Sequence, residues 1–191
     1  MAGHSTGGFA ALSIAASKPE IAAGVISISG FAQGRWTGPL GIFQKLARFG
    51  LTGRLLFKIN FNILASNRLI YRFGVGLYAK DRAALYANTD FNTVVDIAYQ
   101  GSKKLDFNSL LPYFNRFPDI DITDRLSNIT SPTLALAGYS DPIVPPEQSR
   151  IIAERVPKGE KVLLEGCGHL PMFERQDEYN RLITEWVAKI T

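Results

Sequence analysis

Three side chains in this sequence have the types needed for nucleophilic attack on a carbonyl: Ser5, Asp141 and His169. Ser5 stands in Gly3-His4-Ser5-Thr6-Gly7, a G-x-S-x-G pattern with Gly8 behind it. In that pattern the serine occupies a sharp turn between a strand and a helix. Glycines flank it because backbone approaches backbone and leaves no room for Cβ atoms. A serine hydroxyl is a poor nucleophile at neutral pH, so it needs a base within hydrogen-bond reach and a group that orients the base. The chain has two histidines, His4 and His169. His4 is the chain neighbour of Ser5 and points elsewhere around such a turn, so it reads as packing. His169 is then the base by elimination, if Ser5 is a nucleophile. The orienting acid belongs on another strand-end loop, ahead of the histidine. Asp141 fits, in Gly138-Tyr139-Ser140-Asp141-Pro142-Ile143-Val144-Pro145. Asp119, Asp121 and Asp124 are the nearest competitors, but they precede a strand instead of following one.

These residues must be held by the elements between them. Residues 6–17, rich in Ala and Gly with Phe9, Leu12 and Ile14, predict a helix of small residues that packs tightly and ends at Pro19. The β-branched run inside Ile21–Ser29, closed by Gly30, predicts a buried strand. Thr133–Ala137 and Lys161–Leu164 predict two more strands, with a helix over Glu147–Val156 between them. Gln176–Ile190 reads as a closing amphipathic helix with Tyr179, Leu182, Ile183, Trp186 and Val187 on its apolar stripe. Strands alternating with helices predict an α/β fold, a parallel sheet with helices on its faces. The middle, residues 31–125, shows no strand of comparable quality. Ile42, Phe43, Leu46 and Phe49 recur at helical spacing, and further helices are expected at 81–88, 92–104 and 108–116. The expected organisation is a core of residues 1–30 and 126–191 with a helical insertion at 31–125.

Charge divides along the same lines. Residues 31–118 carry 12 Lys and Arg against 4 Asp, whereas 119–191 carry 8 basic and 12 acidic residues. A basic, aromatic middle and an acidic end predict two structural units. The basic excess suits acidic substrates or peripheral contact with a membrane surface, or is simply a solvated face. The cations are scattered along the chain instead of arrayed on a recognition helix, which argues against a nucleic-acid partner. The single cysteine, Cys167, excludes an internal disulfide and a thiolate-rich zinc site, and two histidines make a His-based metal cluster poor chemistry. No metal or organic cofactor is expected. The first 17 residues lack the basic start of a secretory leader, and no uncharged apolar run has the length of a membrane span. The expected location is cytoplasmic.

GHSTGG, GYSDPIVPPE and GCGHLPMFERQDEYN, in this order, resemble three segments of the α/β-hydrolase fold family: the nucleophile elbow, the acid-bearing loop and the histidine loop. The resemblance covers nearly the whole chain and implies the C-terminal part of that fold. Ser5, Asp141 and His169 would form its triad, and residues 31–125 its helical cap over the active site. It further implies a hydrolase acting on an ester, lactone or similar apolar carbonyl compound, with the N–H of Thr6 as one oxyanion donor. Haloperoxidase, C–C hydrolase and acyltransferase chemistry stay open. The family's earlier strands, and the loop with the second oxyanion donor, have no counterpart ahead of Gly3. Met1 is then expected to be an internal methionine of a longer protein or the start of a truncated product, and Gly24–Ser29 an exposed sheet edge. The alternative is a non-catalytic remnant or interaction protein.

Other residues have plain readings. Cys167 is expected to be small and buried, and Glu165 and Glu174 solvated, with Glu174 as an anchor of the histidine loop the second choice. Asp141 also suits a turn before Pro142. Trp36, Phe43, Phe49, Phe57, Phe61, Tyr71, Phe73, Tyr78, Tyr113 and Phe114 are expected mostly as the core of the insertion, with a minority lining a pocket.

Overall fold

A computed structural model of the chain describes residues 1–190. It opens with β1 (Ala2–His4), α1 (Thr6–Ser17) and β2 (Val25–Ile28). Six helices follow without a strand: α2 (Gly38–Arg48), α3 (Gly50–Ser66), α4 (Arg68–Gly76), α5 (Arg82–Ala87), α6 (Thr89–Ser102) and α7 (Phe107–Arg116). The chain then forms β3 (Thr133–Gly138), α8 (Glu147–Arg155), β4 (Gly159–Leu164), the short α9 (Pro171–Glu174) and α10 (Gln176–Ile190). The expected elements outside the middle match in place and type, to within two residues at most ends.

All four strands are parallel, in the order β1-β2-β3-β4. Ile26 pairs with Leu134 and Ser27 with Ala135, so β2 and β3 present the same faces. Alternation then sorts the core into two layers. Val25 and Ala135 join Ala11, Leu12 and Ala15 of α1, Ile152 of α8 and Val156 just after it. Ile26, Ile28, Leu134 and Leu136 join Trp186 of α10 on the other face. Both central strands are buried along their whole length, as covered parallel strands are.

Two expectations change here. β2 is not a sheet edge, because Ala2–His4 pairs alongside it and Met1 O accepts from Ile26 N at 2.9 Å. The stripe of α10 is also shifted. Trp186 is buried while Val187 is 40% exposed, and Ile190 packs against the sheet instead.

The six-helix segment leaves and rejoins the sheet at one place. Gly34 N donates to Ile120 O and Ile122 N to Ala32 O, which pins its two ends side by side. Of the aromatic residues expected in its core, Trp36 and Phe57 are buried, but Phe49 and Phe73 lie more than half exposed. No helix among the described residues is long and apolar enough to cross a membrane.

Leu136 has no exposed surface and sits between β2 and β4 in the layer under α10. Leu136→Ala is expected to lower the unfolding free energy by about 2–5 kcal/mol, the range for a buried leucine that leaves a cavity. Urea denaturation of the two proteins checks this.

Candidate active site

The strand-to-helix turn at Ser5 is as short as a turn can be. β1 ends at His4, α1 begins at Thr6, and Ser5 alone lies between them. Its φ is 54°, in the left-handed region that non-glycine residues seldom occupy. The turn is held by Ser5 N donating to Ile28 O at 2.8 Å and Phe9 N donating to Ser5 O at 3.1 Å. The glycine rule applies unevenly. A Cβ on Gly3 would lie 2.2 Å from the backbone of Gly7, and one on Gly8 2.9 Å from Ser27 Oγ. At Gly7 an added Cβ meets no atom within 4 Å. The close approach therefore rests on Gly3 and Gly8.

Asp141 and His169 meet directly. His169 Nδ1 lies 2.7 Å from Asp141 Oδ2, and both side chains are buried. An ionised carboxylate only accepts hydrogen bonds, so Nδ1 carries the proton and Nε2 keeps its lone pair when the ring is neutral. The other carboxylate oxygen, Oδ1, accepts from Ile143 N at 2.8 Å and Val144 N at 2.9 Å. Asp141 thus holds its own turn with one oxygen and contacts His169 with the other. The competitors lie elsewhere: Asp119 pairs with Arg48, Asp121 accepts from Gln33 and Thr123, and Asp124 is exposed.

Glu174 corrects an expectation. It is buried instead of solvated, 3% exposed, and its carboxylate collects four backbone N–H groups. Oε2 accepts from Lys80 N at 2.8 Å, Asp81 N at 2.9 Å and Gly168 N at 2.9 Å, and Oε1 from Leu170 N at 3.1 Å. Gly168 and Leu170 bracket His169, while Lys80 and Asp81 belong to the six-helix segment. His169 N also donates to Tyr78 O at 2.9 Å. Arg175 reinforces the junction, donating to Asp81 Oδ2 at 3.0 Å and Gly166 O at 3.3 Å. Cys167, at the base of this loop, is fully buried as expected, and burial pushes its thiol up to about 12.

His4 packs beside the pair. Its ring centroid is 4.8 Å from that of His169, and its Nε2 donates to His169 O at 2.8 Å. Desolvation, and then the neighbouring His169, push its pKa down from 6.5 to about 4. Thr6 begins α1, where the N–H has no partner within the helix. Its hydroxyl pairs with Tyr113 OH at 2.9 Å, a contact from α7 that no sequence signal announced. Ser5, His4 and His169 border one cavity of about 500 Å³, walled largely by apolar residues such as Leu40, Val75, Phe91 and Phe173. A second apolar cavity of about 220 Å³, between α2, α3, α4 and α7, shares Leu40, Tyr71, Val75 and Tyr78 with it. Ser5 Oγ makes no hydrogen bond to His169 among the described residues, and such contacts often tighten only when substrate binds. No cluster of three or more metal-ligating side chains is found among them either.

Two measurements follow from this geometry. Glu174→Ala leaves four buried or part-buried N–H groups without their acceptor, each worth about 1–3 kcal/mol. Several kcal/mol of stability should be lost in urea denaturation, against a near-neutral effect of exposed Glu165→Ala. His4 supplies a pH signature. Its folded pKa lies below its unfolded one, so between pH 6.5 and about 4 the unfolded chain binds a proton that the folded chain refuses. Stability should fall through that window as pH drops, by at most about 3 kcal/mol. His4→Gln should flatten this part of a melting-temperature profile.

The sequence from residue 1 to residue 176 matches the family model described as the alpha/beta hydrolase fold. Among curated proteins, the proline iminopeptidase of Lactobacillus helveticus (strain DPC 4571) is 36% identical over 69 residues, 36% of this chain and 23% of that protein. The RutD protein of Serratia proteamaculans (strain 568), which carries a provisional carbamate hydrolase name, is 24% identical over 98% of this chain and 64% of its own. Among solved structures, the meta-cleavage product hydrolase CumD of Pseudomonas fluorescens IP01 superposes with a TM-score of 0.67 at 20% identity, over 100% of this chain and 64% of that one. A thermophilic esterase from Thermogutta terrifontis gives 0.63 at 22% identity, over 99% and 64%. The chain thus spans less than two thirds of the length of these relatives. By its match over residues 1–176, the chain belongs to the α/β-hydrolase fold family.

Proposed function

We propose that the protein is a serine hydrolase for an ester, lactone or similar apolar carbonyl compound, with Ser5 as nucleophile, His169 as base and Asp141 as the acid that orients it. The observation that carries this reading is the buried Asp141–His169 hydrogen bond at the wall of an apolar cavity that Ser5, held at a positive φ, also borders. Helices α2–α7, within residues 31–125, act as a cap that encloses the substrate. The apolar lining supports an apolar substrate better than a charged one.

In this reading Ser5 Oγ attacks the carbonyl carbon and His169 Nε2 takes its proton. The carbonyl π pair moves to oxygen, and the oxyanion accepts a hydrogen bond from Thr6 N–H. Collapse of the tetrahedral species expels the alcohol, which receives the proton from His169. Water then attacks acyl-Ser5 with His169 again as base, releasing the acid and restoring Ser5. Asp141 stays ionised and stabilises the imidazolium. No metal or organic cofactor enters these steps.

A fluorophosphonate probe tests the assignment on this chain. Stoichiometric labelling is expected on Ser5, absent in Ser5→Ala and strongly slowed in His169→Ala. On a p-nitrophenyl ester, Asp141→Asn should lower kcat by about four orders of magnitude by leaving the imidazole in the wrong tautomer. A well-folded chain that takes no label would instead favour the non-catalytic, interaction-protein reading.

A further inference from the structure

Residues 21–80 contain no Asp or Glu, yet they hold Arg35, Lys45, Arg48, Arg54, Lys58, Arg68, Arg72 and Lys80. This stretch holds β2 and α2–α4, and much of the outer surface of the three helices is apolar. Leu51, Leu55, Ile59 and Ile63 recur every fourth residue along α3, one above the next on the same face. All four are exposed, Leu51 to 84% and Leu55 to 58%. Phe49, just before α3, and Leu69 of α4 extend the surface at 71% and 66% exposure. Arg54 and Lys58, each one residue ahead of a stripe residue, run beside it, and Lys45 of α2 is exposed as well. None of these three cations enters an ion pair among the described residues, although Lys58 Nζ lies 5.7 Å from the centroid of the Phe107 ring, whereas Arg48 and Arg68 pair with Asp119 and Asp96. The opposite side of α3 is engaged: Phe57 is fully buried, and Phe57, Phe61 and Leu64 wall the smaller cavity.

A surface helix whose outer face is leucine and isoleucine, flanked by cations without a carboxylate partner and itself free of carboxylates, has the composition of a helix that lies in a membrane interface. We propose that the outer face of α3, with the adjoining ends of α2 and α4, docks on an anionic lipid bilayer. The leucines and isoleucines enter the headgroup–acyl boundary while Lys45, Arg54 and Lys58 meet lipid phosphates. Charge decides against a second copy of the chain as the occupant. A two-fold contact would press the same patch, and so the same cations with no carboxylate to meet them, against itself. The inference stands on the surface of α3 and is independent of the role given to Ser5. It adds a consequence if that role holds: the helix that touches lipid also walls a cavity that shares four residues with the one at Ser5.

Co-sedimentation of the chain with vesicles provides the test. Binding is expected to phosphatidylcholine vesicles doped with phosphatidylglycerol, to be much weaker to pure phosphatidylcholine, and to fall with added salt. The Arg54→Gln/Lys58→Gln variant should partition about 30-fold less, from about 1 kcal/mol per cation near an anionic surface. Leu51→Ser/Leu55→Ser should lose binding with an unchanged circular dichroism spectrum, since both residues are exposed. No sedimentation of the folded chain with anionic vesicles overturns the proposal, as does equal binding to neutral vesicles or binding unchanged in both variants. A dimer in analytical ultracentrifugation that Leu55→Asp dissociates, without vesicle binding, would assign the face to a second copy and overturn it too.

Discussion

Parallel pairing of β1, β2, β3 and β4 is the constraint on which the rest depends. In a parallel sheet every strand ends at the same edge, so whatever follows each strand is delivered to one side of the molecule. Ser5 follows β1, Asp141 follows β3 and His169 follows β4. The six-helix segment begins after β2 and so starts at that edge as well. Residues separated by 136 and 164 positions from Ser5 are gathered without any local signal for their proximity. The register supplies the fine adjustment, because Ile28 holds Ser5 N while Leu136, its partner on β3, holds Ser29 N.

That edge contains two buried carboxylates, and burial of a charge is costly unless it is fully hydrogen-bonded. Each solves the problem with backbone donors. Asp141 takes two N–H groups on one oxygen and the imidazole of His169 on the other. Glu174 takes four N–H groups and, among the described residues, no side-chain cation. The consequences differ. Asp141 fixes the ring of His169, whereas Glu174 fixes the loop that carries it and ties that loop to residues 80 and 81. The histidine loop is therefore set by the helical segment above it as much as by the strand before it.

The helical segment itself has two unlike surfaces. Its inner side is an aromatic cluster in which Trp36, Tyr113, Phe114 and Phe117 contact Phe31 or one another edge-on or tilted. This cluster is continuous with Ile143 and Val144 beside Asp141, so the segment is packed onto the loops of the sheet. Its outer side combines exposed leucines with cations that lack acidic neighbours in sequence.

Local spacing determined a good deal. The apolar runs at 25–28 and 133–138, the small-residue helix at 6–17 and the three loop motifs are all periodic or short-range features, legible because strands and helices repeat every two or 3.6 residues. The pairing of Asp141 with His169 was reachable as well, since few residues of the right type follow strands. Burial and partnership were decided by the tertiary structure. Glu174 looks like any charged residue at a helix end, and half of the four backbone donors that make its burial tolerable lie more than 90 positions away. The same holds for Tyr113 against Thr6, and for β2, which becomes an interior strand because three residues at the start of the chain pair with it. Leu51 and Leu55 are the converse case. Their spacing marks an apolar face, but whether such a face is covered depends on which elements pack against it, and that is a long-range property no window of sequence contains.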